Sequence, residues 1–396
     1  MKVKGYISKD YKDIANSFKE NFVIHGEIGA SLCVYHEHEK VIDIWGGHKD
    51  LGKTKEWDEN TVVPIFSTTK AIAASCLAIC HSRRLFDYNN NVSEYWPEFG
   101  MRSKKEITIE QLLQHRAGLS AIDKKLDTNI IKDRSILDKV IAEQKPHWHP
   151  GEYQGYHVWN IGWYISSLLS RIDTKKRFLK EFLEQEILPN IEGEVRIGVD
   201  KNYDWTGIAT LKPFPKIKGM FSMPLKFVLE FFKPWSLTYK SMLNPSFVSN
   251  HSNFNKPEIL QLEIGAGGGI GNARGLASLI DSLTNENHPM CLSRETFEYL
   301  MKYPGEPLNG WNDLVFKQDA FRFHAGFMKP SKKHDFSESM KAFGGFGAGG
   351  SFVFHNPDKN LTIAYTMNKM SSEMMNMNRE LNIRNAANKT ISKMWS

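Results

Sequence analysis

The chain has 396 residues, 51 Lys and Arg against 45 Asp and Glu for a formal charge of +6, and 41% apolar residues. Those proportions exclude a disordered, collagen-like or coiled-coil body, and the length admits one large domain or two modest ones. The charge excess is small and scattered, and the cluster Arg102, Lys104 and Lys105 is too short for a nucleic-acid tail, so no nucleic-acid partner is expected.

Four cysteines, Cys33, Cys76, Cys80 and Cys291, are too few for a disulfide scaffold of this size. Cys76 and Cys80 have helical spacing inside an apolar run and read as buried thiols. The N-terminus has no apolar segment of signal-peptide length, and no apolar stretch reaches membrane-spanning length. The expectation is a soluble, cytoplasmic protein with no stable membrane span.

In chain order, residues 11–25 have helical spacing through Ile14, Phe18 and Phe22. Two strand-like runs follow, 30–35 and 40–45, with the polar His36-Glu-His-Glu39 as a hairpin turn. Residues 61–66 read as a short strand, and 70–85, rich in Ala, Ile, Leu and Cys, as a mostly buried helix. Thr108 with Gln111 three residues on is a capping signature for a helix over 108–113. The middle, 123–260, alternates helical patterns with Pro- and Asn-rich loops, and 160–172 is a strong apolar helix. Strands return at 320–327, 351–355 and 361–367, and 374–395 reads as a closing amphipathic helix. This order predicts an α+β fold: an antiparallel sheet built from both chain ends, flanked by helices, with an inserted mostly helical region. Residues 219–235 concentrate Phe and Met; they read as a helix packed on the body, a lid or wall of an apolar acyl pocket, or an interfacial patch.

Ser67-Thr-Thr-Lys70 lies where a strand-like run meets the buried helix. Positions i and i+3 share a helix face, so the Ser67 hydroxyl would stand beside the Lys70 amine. The helix N-terminus would favour negative charge on that hydroxyl. Serine needs a neighbour to take its proton, and a lysine can do so once burial lowers its pKa. The tetrapeptide alone reads more readily as a capping serine beside an exposed lysine.

The flanking residues add to this. Phe66-Ser-Thr-Thr-Lys-Ala-Ile72 resembles the active-site turn of the serine β-lactamase-like hydrolases, a group that includes class C β-lactamases, D-alanyl-D-alanine carboxypeptidases and family VIII carboxylesterases. Val41-Ile-Asp-Ile-Trp-Gly-Gly47, Leu112-Leu-Gln-His-Arg-Ala-Gly-Leu119, the glycine-rich 267–277 and Asn368-Lys-Met370 resemble further segments in family order. The resemblance implies the β-lactamase/transpeptidase-like fold as one catalytic domain over 1–396. Its α/β subregion would be about 1–85 and 265–396, and its helical subregion about 86–264. Pro150-Gly-Glu-Tyr-Gln-Gly-Tyr-His-Val-Trp159 resembles the esterase branch and implies Tyr156 as the catalytic tyrosine, with Val158 where lactamases carry Asn; Tyr88-Asn-Asn90 reads as a polar turn and Tyr153 as a decoy. In Ala342-Phe-Gly-Gly-Phe-Gly-Ala-Gly-Gly-Ser351, Gly345 stands where relatives carry Lys or His, and Gly347 keeps the family glycine. A cation there would hold a substrate carboxylate, so its absence turns the expectation from lactams toward neutral esters or lactones.

The resemblance thus implies a nucleophile Ser67, a base Lys70 acting with Tyr156, and an oxyanion hole from the N–H groups of Ser67 and Ala348. Gly345, Phe346, Gly347, His157 and Trp159 are expected at the substrate, a small-molecule ester or lactam, with Phe66 and Trp163 as further wall candidates. No cofactor is expected. His36/His38 and His147/His149 each lack a third ligand by spacing, so no metal site is expected either. A Gly-x-Ser-x-Gly elbow is absent, and the glycine run at 267–271 lacks a P-loop Lys-Ser/Thr. The alternatives are a β-lactamase or D-alanyl peptidase, and a catalytically silent scaffold.

Overall fold

The computed structural model describes residues 2–215, 219–220, 223–372 and 378–394. Its main sheet has eight antiparallel strands in the order β1-β3-β2-β11-β10-β9-β8-β7. The early strands are β1 (Val3–Ile7), β2 (Gly29–His36) and β3 (Glu39–Gly47); the late ones are β7 (Arg322–His324), β8 (Phe327–Lys329), β9 (Phe343–Phe346), β10 (Phe352–Asn356) and β11 (Leu361–Met367). The two groups join where β2 pairs with β11, Leu32 opposite Tyr365 and Cys33 opposite Ala364.

β2 is buried along its whole length because both sheet faces are covered. On one face the Tyr365 ring meets Phe18 of the Lys12–Ile24 helix, which packs on the Asn378–Met394 helix. On the other, Ser31 Oγ accepts from the Ala273 N–H at 3.2 Å, and Asp43, opposite Cys33, takes the Arg274 guanidinium at 2.6 Å. That second face carries the Ala273–Ser282 helix and, over β8 and β9, the Thr69–Ser82 helix. A small second sheet, β4 (Val63–Pro64), β6 (Gly269–Gly271) and β5 (Val195–Ile197), braces the approach to Ser67.

The expected α+β order, the 36–39 hairpin turn and the Thr108–Gln111 capping box are all present. Cys33, Cys76 and Cys80 are buried free thiols and Cys291 is half-buried. Three expectations change. The run 61–66 is a two-residue strand, Val63–Pro64, with a bridge from Val62 to Ile208, and it ends where Phe66 turns left-handed at φ +45°. The single strand expected at 320–327 is a hairpin: Ala325 and Gly326, both at positive φ, reverse the chain between β7 and β8. The helical region also contains a strand, β5, which pairs with β6. For the closing helix, residues 373–377 and 395–396 lie outside the described residues; Asn378–Met394 is helical.

Candidate active site

Ser67 occupies a one-turn helix, Phe66–Thr68, that runs into the Thr69–Ser82 helix. A non-glycine residue at positive φ immediately before it is backbone strain of the kind found at functional sites. The turn is over-determined by its neighbours. Thr69 Oγ1 donates to the Phe66 carbonyl and accepts from the Gly269 N–H. Ser351 Oγ donates to the Ile65 carbonyl at 2.8 Å, and Thr68 Oγ1 donates to the Ser351 carbonyl at 3.1 Å.

Lys70 is buried, and its Nζ lies 3.2 Å from Ser67 Oγ, 2.8 Å from the Val158 carbonyl and 2.8 Å from the Ala266 carbonyl. Burial holds its ammonium well below the ordinary lysine range. A neutral amine can donate its two N–H groups to the two carbonyls and aim its lone pair at the Ser67 hydroxyl. The Tyr156 ring lies 4.8 Å from the same nitrogen. Burial pushes the Tyr156 phenol above its ordinary range, while a hydrogen bond with Ser67 pulls it down. Of the two groups beside Ser67, the amine is therefore the one poised to accept a proton and the phenol the one that retains it.

Tyr156 sits in a cage of His115, Phe316, Phe321 and Phe323, with ring centroids 5.0 to 5.7 Å away. Its backbone is fixed from two sides. Its N–H donates to Asp313 Oδ2 at 2.9 Å, while Asp313 Oδ1 accepts from the Val315 and Phe316 N–H groups. Burial raises the Asp313 carboxyl to about 6 against the pull of those bonds. His115, at φ +62°, accepts the Gly155 N–H on its carbonyl and the His157 N–H on Nδ1. The 112–119 segment is thereby stapled to the tyrosine segment. Asp313 belongs to no motif, and sequence reasoning missed it.

The glycine strand closes the site. A Cβ on Gly347 would stand 2.1 Å from the Ile65 carbonyl oxygen, so only glycine lets β9 and its following turn approach the Ser67 turn this closely. Among the described residues, neither the Ser67 N–H nor the half-buried Ala348 N–H has a hydrogen-bond acceptor. Gly345 faces the helix start, where a Cβ would lie 3.0 Å from Ala71 Cβ.

The remaining expected residues divide. Trp159 stacks on Phe254 at 5.8 Å, which meets Phe66 at 5.1 Å, so an aromatic wall stands beside the Ser67 turn. Phe346 does not face Ser67. Side chains alternate along a strand, and with Gly345 turned to the helix, Phe346 points to the opposite sheet face among Phe336, Phe352 and Phe354. His157 is wholly buried, with Nδ1 donating to the Gly155 carbonyl at 2.7 Å, and does not reach the cleft. Trp163 is core, its indole N–H donating to the Glu263 carbonyl. Tyr88 is buried and stacked on Tyr299, away from Ser67. His36 bonds Tyr11, and His38 bonds Asp281.

The profile of the β-lactamase family matches residues 15–388. The chain belongs to the β-lactamase family. Within that family it is similar to the esterase/β-lactamase LipL of Mycobacterium tuberculosis, 26% identical over 350 residues that cover 88% of this chain and 78% of LipL. Among solved structures it is similar to a family VIII carboxylesterase, with TM-score 0.86 and 25% identity over 98% of this chain and 100% of the other. A penicillin-binding protein homologue from Caulobacter crescentus superimposes with TM-score 0.83 and 26% identity over 98% and 100%. Family membership accounts for the sheet drawn from early and late segments and for the helical insertion between them. Among the described residues, no helix is long and apolar enough to cross a membrane.

Proposed function

We propose that the chain is a serine hydrolase that cleaves carboxylic esters through an acyl-enzyme on Ser67, as one catalytic unit working in the cytoplasm. The observation that carries this reading is the Lys70 amine, held by two carbonyls with its remaining valence on Ser67 Oγ. Neutral Lys70 takes the Ser67 proton as Oγ attacks the ester carbonyl. The developing oxyanion is received by the Ser67 and Ala348 N–H groups; one such donor contributes roughly 3 to 4 kcal/mol in the transition state. The carbon–oxygen ester bond then breaks. The alcohol leaves with a proton delivered through the Tyr156 phenol and the Lys70 ammonium. Water attacks the acyl-enzyme with its proton going to the same amine, and the acid departs with Ser67 restored.

Gly345 supplies no side chain to clamp a carboxylate, which favours neutral esters over lactams. The names of the relatives, an esterase/β-lactamase and a family VIII carboxylesterase, support the same class. The test is a fluorophosphonate probe together with a panel of p-nitrophenyl butyrate and a chromogenic cephalosporin. Wild type should label and turn over the ester faster than the lactam, and Ser67→Ala should do neither. Equal labelling of the two proteins would defeat the enzyme reading. Prompt lactam hydrolysis with little ester turnover would replace it with a β-lactamase.

A further inference from the structure

The two sides of the site are built differently. On the tyrosine side, rings set the geometry. Within 219–235, of which 221 and 222 lie outside the described residues, Phe227 packs on Phe316 at 5.7 Å, and Phe316 meets Tyr156 at 5.5 Å. On the oxyanion side the chain has little to pack with. The strap between β9 and β10 reads Gly347-Ala-Gly-Gly350, with Gly349 and Gly350 at φ +92° and +121°. Glycine gives such a segment many conformations, so the direction of the Ala348 N–H depends on what the strap is tied to. Two wholly buried residues make the tie, Thr68 and Ser351, with their hydroxyl oxygens 3.0 Å apart. The Ser351 carbonyl accepts from the Gly347 N–H at 2.8 Å, which fixes the strap one residue before Ala348. The same carbonyl accepts from Thr68 Oγ1, one residue after Ser67. Ser351 Oγ donates to the Ile65 carbonyl, two residues before Ser67. A Cβ on Gly347 would stand 2.9 Å from Thr68 Oγ1, so the strap lies directly on the hydroxyl pair. The far side of the strap is held by the Ser371 N–H, which donates to the Gly349 carbonyl at 3.0 Å.

We propose that Thr68 and Ser351 are positioning residues, whose hydroxyl clasp sets the gap between the Ser67 and Ala348 N–H groups and so the strength of the oxyanion hole. The proposal rests on the esterase reading above, because it takes those two N–H groups as the receivers of the oxyanion. Such donors act by being aimed before the charge develops, so holding them in place is itself catalytic capital. A misplacement of about 1 Å costs on the order of 100-fold in rate. The Lys70 amine bonds Ser67, Val158 and Ala266 and neither clasp residue, so loosening the clasp leaves the base in place. The clasp joins segments 283 residues apart, and it fixes a strap that has no side chain beyond a methyl group with which to fix itself.

The experiment compares Thr68→Val, which keeps the shape and removes the hydroxyl, with Thr68→Ser, which keeps the hydroxyl and removes the methyl. Turnover of p-nitrophenyl butyrate is followed across pH, with kcat counted per site labelled by a fluorophosphonate at completion, so unfolded protein does not enter the rate. Thr68→Val and Ser351→Ala should each lose about 10- to 100-fold in kcat with little change in KM. Thr68→Ser should recover most of the Thr68→Val loss. The low-pH limb of kcat/KM should stay where wild type has it, because the base is untouched. The double variant Thr68→Val/Ser351→Ala should lose no more than the worse single one, since the two hydroxyls act as a unit. Wild-type kcat in Thr68→Val, an equal loss in Thr68→Ser, a displaced low-pH limb, or losses that multiply in the double variant would each overturn the clasp. A wild type that neither labels nor turns over the ester would sink the esterase reading and the clasp with it, whereas a labelled, active wild type matched by Thr68→Val would sink the clasp alone.

Discussion

At Lys70 the same burial that makes a base also opposes folding. The folded amine releases its proton well below the ordinary lysine range, whereas the unfolded one keeps it into that range. Across this window the unfolded state binds more protons, so the Lys70 contribution to stability rises with pH. The unfolding free energy of wild type relative to Lys70→Met should therefore improve as pH is raised from about 7 to about 9, measured by urea denaturation at each pH. Activity should follow the same sign, with kcat/KM falling at low pH as Lys70 becomes an ammonium unable to take the Ser67 proton. The variant should lose about 100- to 10,000-fold in kcat where wild-type Lys70 is neutral, the range spanned by a lost general base, and the deficit should shrink as pH falls. A low-pH limb of unchanged position in Lys70→Met would assign that titration to another group.

At the scale of elements, the site is an alignment of three segments, and the ties between them were unequally legible. The Ser67–Lys70 pair could be read from sequence because both sit on one helical turn, and the Thr108 capping box for the same reason. The apolar runs on either side of Ala325-Gly326 mask a two-residue turn, so the pattern over 320–327 reads as one strand. The motif around Phe346 points to the site, although alternation along β9 sends its ring to the other face. Asp313 leaves no signal in the sequence because its partner, the Tyr156 N–H, is 157 residues away and backbone donors leave no motif. Replacing it isolates that tie. Asp313→Asn can keep an oxygen for Val315 and Phe316 while setting an amide NH2 against the Tyr156 N–H. The expected outcome is a lower kcat with little change in KM, and a folding cost of about 1 to 3 kcal/mol for the buried donor left unpaired. The wild-type carboxyl, at about 6 when folded, retains its proton above the unfolded value, so wild-type stability falls between about pH 4 and 6. The Asn variant lacks that loss, and its deficit should be smaller at about pH 7 than at about pH 4.5. A deficit constant across that range would show that Asp313 does not titrate there.

The whole molecule is fastened where its early and late segments meet. Glu27 is buried against Arg379 of the Asn378–Met394 helix and accepts from the Tyr365 hydroxyl at 2.8 Å, while Asn21 Nδ2 donates to the Arg379 carbonyl at 3.2 Å. Arg379→Met would leave the Glu27 carboxyl buried without its cation, at an expected cost of about 3 to 5 kcal/mol in denaturant unfolding. The double variant Glu27→Gln/Arg379→Met should recover part of that loss, and the absence of any recovery would show that the pair is not coupled. The pairing of β2 with β11 has a further consequence, in time. During synthesis the β2–β3 hairpin is complete at residue 47, but β11 begins only at residue 361. At ordinary elongation rates that interval is roughly 15 to 60 seconds. For that period β2, apolar and destined for burial on both faces, waits on the ribosome with one edge unpaired. The same long-range pairing that unites the sheet makes the nascent chain a client for whatever shields exposed strand edges in the cell.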